Sequence, residues 1–207
     1  VYGKKLKPFM VNSVYVFEKA VKENKWLLFE GAQGTALDVD FGTYPFVTSS
    51  NPTSGGFFTG SGANPKMIDS IIGVTKAYCT RVGSGPFPSE MDEFLADEIR
   101  KAGGEFGATT GRPRRCGWLD AVQLKYAVLL NGVDTLAVTK MDVLDSQKKI
   151  RIVTGYKVNG KVIKEFPSDI HFFDHFEPVY EEWDGWLTPT TEITGYDQLP
   201  LKAKAFL

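Results

Sequence analysis

The sequence predicts an α/β fold: a mainly parallel central sheet flanked by helices, with an antiparallel hairpin near 150–166. Three observations carry this. Two short apolar runs, Trp26–Phe29 and Thr135–Thr139, each follow a stretch with helical spacing, and helix-then-strand repeated twice implies parallel strands. Neither run alternates with polar residues, as expected of strands buried on both faces. Asn159-Gly160 separates two strand-like stretches, Ile150–Val158 and Lys161–Phe166, and Asn-Gly in that setting is a strong hairpin signal. This ribbon is expected at the edge of the main sheet.

Each element has its own justification. Phe9–Lys25 places Val14, Phe17, Ala20 and Val21 on one helical face. Gly31–Gly62 is rich in Gly, Thr and Ser and reads as long loops, which Tyr44, Phe46, Phe57 and Phe58 would keep ordered. Asn64 can cap a helix opening at Pro65, with Met67, Ile68, Ile71, Ile72 and Thr75 as its buried face. Ser89 can cap a second helix, with Asp92 three residues on; Phe94, Leu95 and Ile99 form its core side, and Gly103-Gly104 ends it. A third is expected from about Trp118 to Leu130, closing at Asn131-Gly132. The last forty or so residues are irregular, apart from a helix-like end at Leu201–Leu207.

Composition bounds the function. The chain has 207 residues, 43% hydrophobic and 24% charged, enough to bury a core. Its 24 basic and 25 acidic residues leave a net charge of -1, which argues against nucleic-acid binding by bulk charge but not against a local anion site. No apolar run approaches the roughly 20 residues that span a bilayer, so no membrane partner is expected. Cys79 and Cys116 lie far apart without metal or redox spacing, which favours an intracellular protein without disulfides. The chain opens at Val1, without a signal-peptide pattern, and ends without a helix cap. We therefore expect residues 1–207 to be one domain, an internal piece of a longer protein.

Three segments can carry chemistry. In Gly107-Ala-Thr-Thr-Gly-Arg-Pro-Arg-Arg115 the glycines admit a ligand close to backbone amides. The threonines offer hydroxyls, and Arg112, Arg114 and Arg115 supply forks that match carboxylate or phosphate. The bland alternative is a solvated basic turn. Thr139-Lys140-Met141-Asp142 lies at the carboxyl end of a predicted strand, where open α/β sheets bind ligands. A carboxylate there can accept from guanine's N1–H and exocyclic amine, while a lysine stem lies over the purine ring. Two ordinary surface charges would look the same. Glu30-Gly-Ala-Gln33-Gly-Thr-Ala-Leu-Asp38 follows the other apolar run, and Thr48, Ser49, Ser50 and Asn51 come soon after. These short polar side chains suit a sugar–phosphate site, or an ordinary Ser/Thr turn. No Gly-x-x-x-x-Gly-Lys-[Ser/Thr] loop is present. His171 and His175 stand among Phe172, Phe173 and Phe176, where packing explains them better than a metal.

Taken together, five segments resemble consecutive motifs of the adenylosuccinate synthetase family. They are Phe29-Glu-Gly-Ala-Gln-Gly-Thr35, Gly42-Thr-Tyr-Pro-Phe-Val-Thr-Ser-Ser-Asn51, Thr80-Arg-Val-Gly-Ser-Gly-Pro-Phe-Pro88, Glu105-Phe-Gly-Ala-Thr-Thr-Gly-Arg112 and Thr139-Lys-Met-Asp142. The resemblance implies a P-loop-NTPase-like sheet and a cytoplasmic, homodimeric, magnesium-dependent enzyme that makes adenylosuccinate from IMP, L-aspartate and GTP. It implies that Gln33, Thr48, Val82 and Arg112 bind IMP, with Gln33 also orienting the reacting groups. Ala108, Thr109, Thr110, Gly111, Arg112, Pro113 and Arg114 would hold aspartate. Arg114, Lys140, Met141 and Asp142 would bind GTP. Pro113 departs from the family, many members of which carry a basic residue there. The family's phosphate loop, magnesium ligands, catalytic aspartate and histidine belong to an N-terminal segment not found in this sequence. So does the arginine that one subunit lends to its partner's IMP phosphate, and a C-terminal segment finishes the guanine pocket. The chain alone is therefore expected to be inactive, with no metal ligands of its own. The alternative is a non-catalytic guanine-nucleotide or anion-binding module. An RNA-binding domain fits least, because no aromatics interleave with the arginines.

Overall fold

The computed structural model describes residues 2–207. Helix α1 (Tyr2–Leu6) and a 3-10 turn lead into α2 (Ser13–Lys22), which Asn12 caps by accepting from the Val14 N–H. The expected helix over Phe9–Lys25 is thus shorter, and only Phe17 and Ala20 of its apolar face are half-buried. Trp26–Phe29 is not a ladder strand. The run is extended, with Trp26 wholly exposed and Leu28 93% exposed. Only Phe29 finds an aromatic setting, between Phe17 and Phe57. Apolar content suits a strand, but pairing needs a neighbour, and no strand of the described residues lies alongside.

The glycine-rich stretch that follows contains a 3-10 turn at Thr35–Leu37 and, unanticipated, α3 (Ser54–Ser61). Asn64 caps as expected, accepting from the Lys66 N–H, but what it caps is a 3-10 turn over Pro65–Met67. The predicted helix then gives way to strand β1 (Ile72–Lys76). The β-branched residues Ile71, Ile72 and Thr75 fit a helical face by spacing, yet by shape they favour a pleated strand, as does Val74 between them. Long-range pairing decides the outcome. β1 runs parallel to β5 (Thr135–Thr139), in register from Ile72↔Thr135 to Lys76↔Thr139. The second apolar run is therefore a parallel strand, as predicted, but it is not buried on both faces. Leu136, and Ile72 and Val74 opposite, remain exposed.

Between these strands lie β2 (Cys79–Arg81), α4 (Glu93–Gly103), β3 (Arg115–Gly117), β4 (Leu119–Asp120) and α5 (Ala121–Asn131). β2 and β3 pair antiparallel. The cap of α4 is Asp92 rather than Ser89: its carboxylate accepts from the Leu95 N–H, and Ser89 is buried three residues upstream. Ile99 is in the core, as expected, whereas Phe94 is exposed. Gly104 ends α4 and Gly132 ends α5, both in the left-handed conformation that glycine adopts at lowest cost.

β6 (Lys149–Val158), β7 (Lys161–Ile163) and β8 (Glu177–Asp184) complete a separate four-stranded sheet with β4, and α6 (Leu201–Phe206) closes the chain. The Asn159-Gly160 hairpin is present, with both residues at positive φ as a type I′ turn requires. It does not edge the β1–β5 sheet, however. β6 is flanked along its length by β8, and on its other side first by β4 and then by β7. The main core, including Tyr78, Ile99, Cys116, Leu144, Ile150 and Trp186, lies under α4 and the strand ends. A second cluster packs Phe172, Phe173 and Phe176 edge-on to buried Tyr156. That accounts for the aromatic stretch around His171, whose ring meets only exposed Asp174.

Candidate functional site

The loop carrying Gln33 is built around one buried carboxylate. Asp38 accepts from the backbone N–H groups of Asp40, Phe41 and Thr53, from the Asn51 amide and from the Thr53 hydroxyl. Burial alone would push its pKa up, but these donors hold it below the usual carboxylate range. Thr48 is fixed to the same loop, since its N–H donates to Leu37 O at 2.8 Å. Gln33 itself is exposed at φ 63, a left-handed conformation that non-glycine residues seldom adopt. Val82 follows β2 with its side chain exposed. Its neighbour Arg81 donates to the Thr43 hydroxyl and to Phe46 O, both at 3.0 Å, which fastens β2 to this loop. Three of the four residues predicted to bind IMP thus sit on one connected frame; the fourth, Arg112, stands on the arginine loop.

The glycine–threonine–arginine loop is closed only at its base. Phe106 and Pro113 form an isolated antiparallel bridge, and Gly107 N–H donates to Arg112 O at 2.8 Å. Beyond that, Gly111 turns back at φ 64, and Ala108, Thr109, Thr110, Gly111, Arg112 and Pro113 are exposed. The three arginines separate into distinct environments. Among the described residues, Arg112's guanidinium has no hydrogen-bond or ion-pair partner, so it faces solvent ready for a ligand. Arg115 is structural: it grips Glu90 through Nε and Nη2 and donates to Gly83 O and Gly85 O. That last pair ties the Val82 turn to the strand at the end of the arginine loop.

Arg114 points inward to Glu105, the hub of this side of the molecule. Glu105 is fully buried, and four donors reach its carboxylate: Tyr78 hydroxyl at 2.5 Å, Arg114 Nη1 at 2.8 Å, Lys76 Nζ at 2.9 Å and Lys140 Nζ at 3.1 Å. Burial would raise its pKa, but the hydrogen bonds from Tyr78, Lys76 and Lys140 outweigh it and hold Glu105 at about 2. One carboxylate among three cations leaves an excess of positive charge, so a further anion is attracted here. Lys140 also donates to Gly103 O, and its φ of 56 turns the chain sharply out of β5. Met141 packs on the core and opens the following 3-10 turn, while Asp142, second in that turn, is exposed.

The structure therefore gathers the predicted residues into two groups: Gln33, Thr48 and Val82 on one frame, and Ala108–Arg114 with Lys140–Asp142 on the other. Arg115 links them. Sequence reasoning missed Glu105, Lys76 and Tyr78 as members of the second group. Glu105 begins a quoted motif, but nothing local says that its side chain turns inward. Both cysteines are free, and burial pushes the Cys79 thiol up to about 11, which removes it as a nucleophile at neutral pH. No group of three or more His, Cys, Asp or Glu side chains converges among the described residues in a way that could hold a metal.

Fold and site together define an α/β protein whose strand ends and adjoining loops present cationic, anion-accepting groups beside an unpaired carboxylate. The chain belongs to the adenylosuccinate synthetase family, whose model matches residues 1–207. Adenylosuccinate synthetases of Brachyspira hyodysenteriae and Thermodesulfovibrio yellowstonii are each 52% identical over 206 residues, covering 100% of this chain and 48% of each relative. The fully ligated adenylosuccinate synthetase of Plasmodium falciparum superposes with a TM-score of 0.95 at 39% identity, over 99% of this chain and 49% of that one. A cyanophage S-2L succinoaminodeoxyadenylate synthetase, bound to dGMP and to dATP as energy donor, aligns at a TM-score of 0.53 and 25% identity over 62% of this chain. The chain spans about half the length of the curated relatives it matches.

Proposed function

We propose that the full-length protein carrying this chain is a GTP-dependent ligase that joins IMP and L-aspartate into adenylosuccinate. The observation that carries the reading is that Arg114 of the arginine loop and Lys140 of the strand-end Lys140-x-Asp142 pair meet at Glu105. An anion-accepting loop and a purine-reading pair are thereby held together by one side chain. In this reading residues 1–207 are part of one larger domain. Gln33, Thr48, Val82 and Arg112 bind IMP, Ala108–Arg114 take the carboxylates of aspartate, and Arg114, Lys140, Met141 and Asp142 take GTP. Magnesium would be held by residues other than these. A cytoplasmic homodimer is part of the same proposal. No helix among the described residues is long and apolar enough to cross a membrane. The family match along the whole chain leaves the non-catalytic module without an observation in its favour.

The chemistry follows from the poor leaving ability of the 6-oxygen of IMP. A base removes the N1 proton, and the oxygen attacks the terminal phosphorus of GTP, breaking its bond to GDP. The amine of aspartate then adds to C6, and the oxygen departs with the phosphoryl group as inorganic phosphate. Gln33, with an amide that donates and accepts, can orient the purine but cannot serve as the base. The base is therefore not among the residues assigned here, and the isolated 207-residue chain is expected to bind ligands weakly and turn nothing over. With oxygen-18 at the 6-position of IMP, the full-length protein should deliver the label to inorganic phosphate. Label kept in the product or released to water would overturn the proposal.

A further inference from the structure

We propose that Glu105 is a positioning residue that locks the aspartate loop and the guanine-reading strand end into one unit, a role that rests on the ligase reading above. The two segments are far apart in sequence, and among the described residues they meet nowhere else through an ion pair. Arg114 approaches one carboxylate oxygen, and Lys140 shares the other with Lys76 and the Tyr78 hydroxyl. Each oxygen is thus committed to a different segment, the first to the loop and the second to the strand ends of β1 and β5. Glu105 is fully buried and touches none of the exposed loop residues that would meet substrate, so it acts through Arg114 and Lys140. Rotation of Arg114 would leave one buried carboxylate oxygen without its donor, a costly state that keeps this cation in place, while Lys140 is held by the same carboxylate's charge beside Lys76 and the Tyr78 hydroxyl. The remaining positive charge is what an incoming carboxylate or phosphate meets. Substrate for one segment therefore finds the other already aligned.

Glu105→Gln in the full-length protein tests this, because the amide keeps the shape and removes the charge. Losing a charge-assisted anchor should raise KM for both aspartate and GTP about 10-fold or more. KM for IMP, three of whose four assigned residues stand on the other frame while the fourth, Arg112, does not bond Glu105, should stay within about 2-fold and kcat within about 3-fold, by the same arithmetic. Glu105→Asp restores the charge but withdraws it by one methylene, and should fall between wild type and Glu105→Gln in the same two constants. A merely structural role would lower the melting temperature and shift all three KM values together, or none. Either pattern overturns the proposal. A readout independent of turnover is the Lys140 ammonium in protein labelled with [ε-15N]lysine. Its slowly exchanging signal should vanish in Glu105→Gln, and a signal equally persistent in the variant would overturn the positioning role. Failure of wild-type protein to form adenylosuccinate would instead sink the ligase reading, while the lysine signal still reports on Glu105 alone.

Discussion

The two loops that carry the candidate site are held in opposite ways. Gly31–Asn51 wraps its own buried anion: Asp38 takes five hydrogen bonds from residues spread between Asp40 and Thr53. Further ties come from Asn131 to Thr35 and from Arg81 to Thr43. Gly107–Arg112 has no such centre. It is pinned at its base, and its tip turns on one backbone bond from Gly111 to Gly107 and one from Arg112 to the Thr110 hydroxyl. The difference teaches how one site divides its labour. In the function proposed above, the frame fastened by Asp38 would receive the purine nucleotide, while the loop pinned only at its base would close on the dicarboxylate substrate and exclude water.

The largest effect should come from breaking the rigid frame. Asp38→Ala leaves five donors without their acceptor in a buried site, and should cost about 3–5 kcal/mol of stability, measured by urea denaturation. A loss below about 1 kcal/mol would mean that the loop is not organised by Asp38. The pH dependence has a definite sign. Asp38 and Glu105 both have lowered pKa values, so their stabilisation is complete above the normal carboxylate range and is lost as pH falls through their folded values, about 2 for Glu105. Asp38→Asn should therefore flatten the acid limb of the stability curve relative to wild type. An unchanged acid limb would show that Asp38 is protonated at its usual pKa.

A smaller effect tests selectivity at the strand end. Asp142 is exposed and its carboxylate has no donor among the described residues, so it is available to accept from guanine N1–H and the exocyclic amine. In Asp142→Asn the amide reverses one half of that match. Use of GTP in the full-length protein should weaken by about 2–4 kcal/mol in kcat/KM, and use of xanthosine triphosphate should improve. An unchanged KM for GTP would remove Asp142 as the guanine reader.

What could be read from the sequence was whatever depended on neighbours along the chain. The Asn159-Gly160 turn, the Gly104 and Gly132 helix ends and the strand at Thr135–Thr139 are local, and all are present. The errors fell where a distant partner decides. Ile72 and Thr75 fit a helical face until parallel pairing with β5 claims them. Trp26–Phe29 has the composition of a buried strand without a strand beside it. The hairpin is legible, but the sheet it joins is not, because nothing local in Glu177–Asp184 announces β8. At the site the same rule holds. Motif residues such as Gln33, Arg112 and Asp142 are solvent-facing, and their chemistry is legible from their type. The division of the arginines, with Arg115 spent on Glu90 and Arg114 on Glu105, depends on side chains 25 and 9 residues away. No local pattern carries that information.

The smallest expected effect on stability belongs to the sparsely bonded loop, and it separates binding from folding most cleanly. Arg112→Leu removes a guanidinium with no partner among the described residues, so the melting temperature of the full-length protein should shift little, by less than about 0.5 kcal/mol in free energy. The same change removes a bidentate donor for a substrate carboxylate. KM for aspartate should therefore rise by a factor corresponding to about 1.5–3 kcal/mol. Amide hydrogen exchange gives the complementary measurement. In ligand-free protein Ala108–Arg112 should exchange fast and Asp40–Thr53 slowly, with protection appearing in the first segment once aspartate is added. If both segments are equally protected without ligand, the arginine loop is as rigid as the Asp38 frame and closure on substrate cannot be its contribution. If protection appears in wild type but also appears in Arg112→Leu at the same aspartate concentration, closure does not depend on the guanidinium, and the threonine hydroxyls and backbone amides of the loop take its place as the carboxylate site.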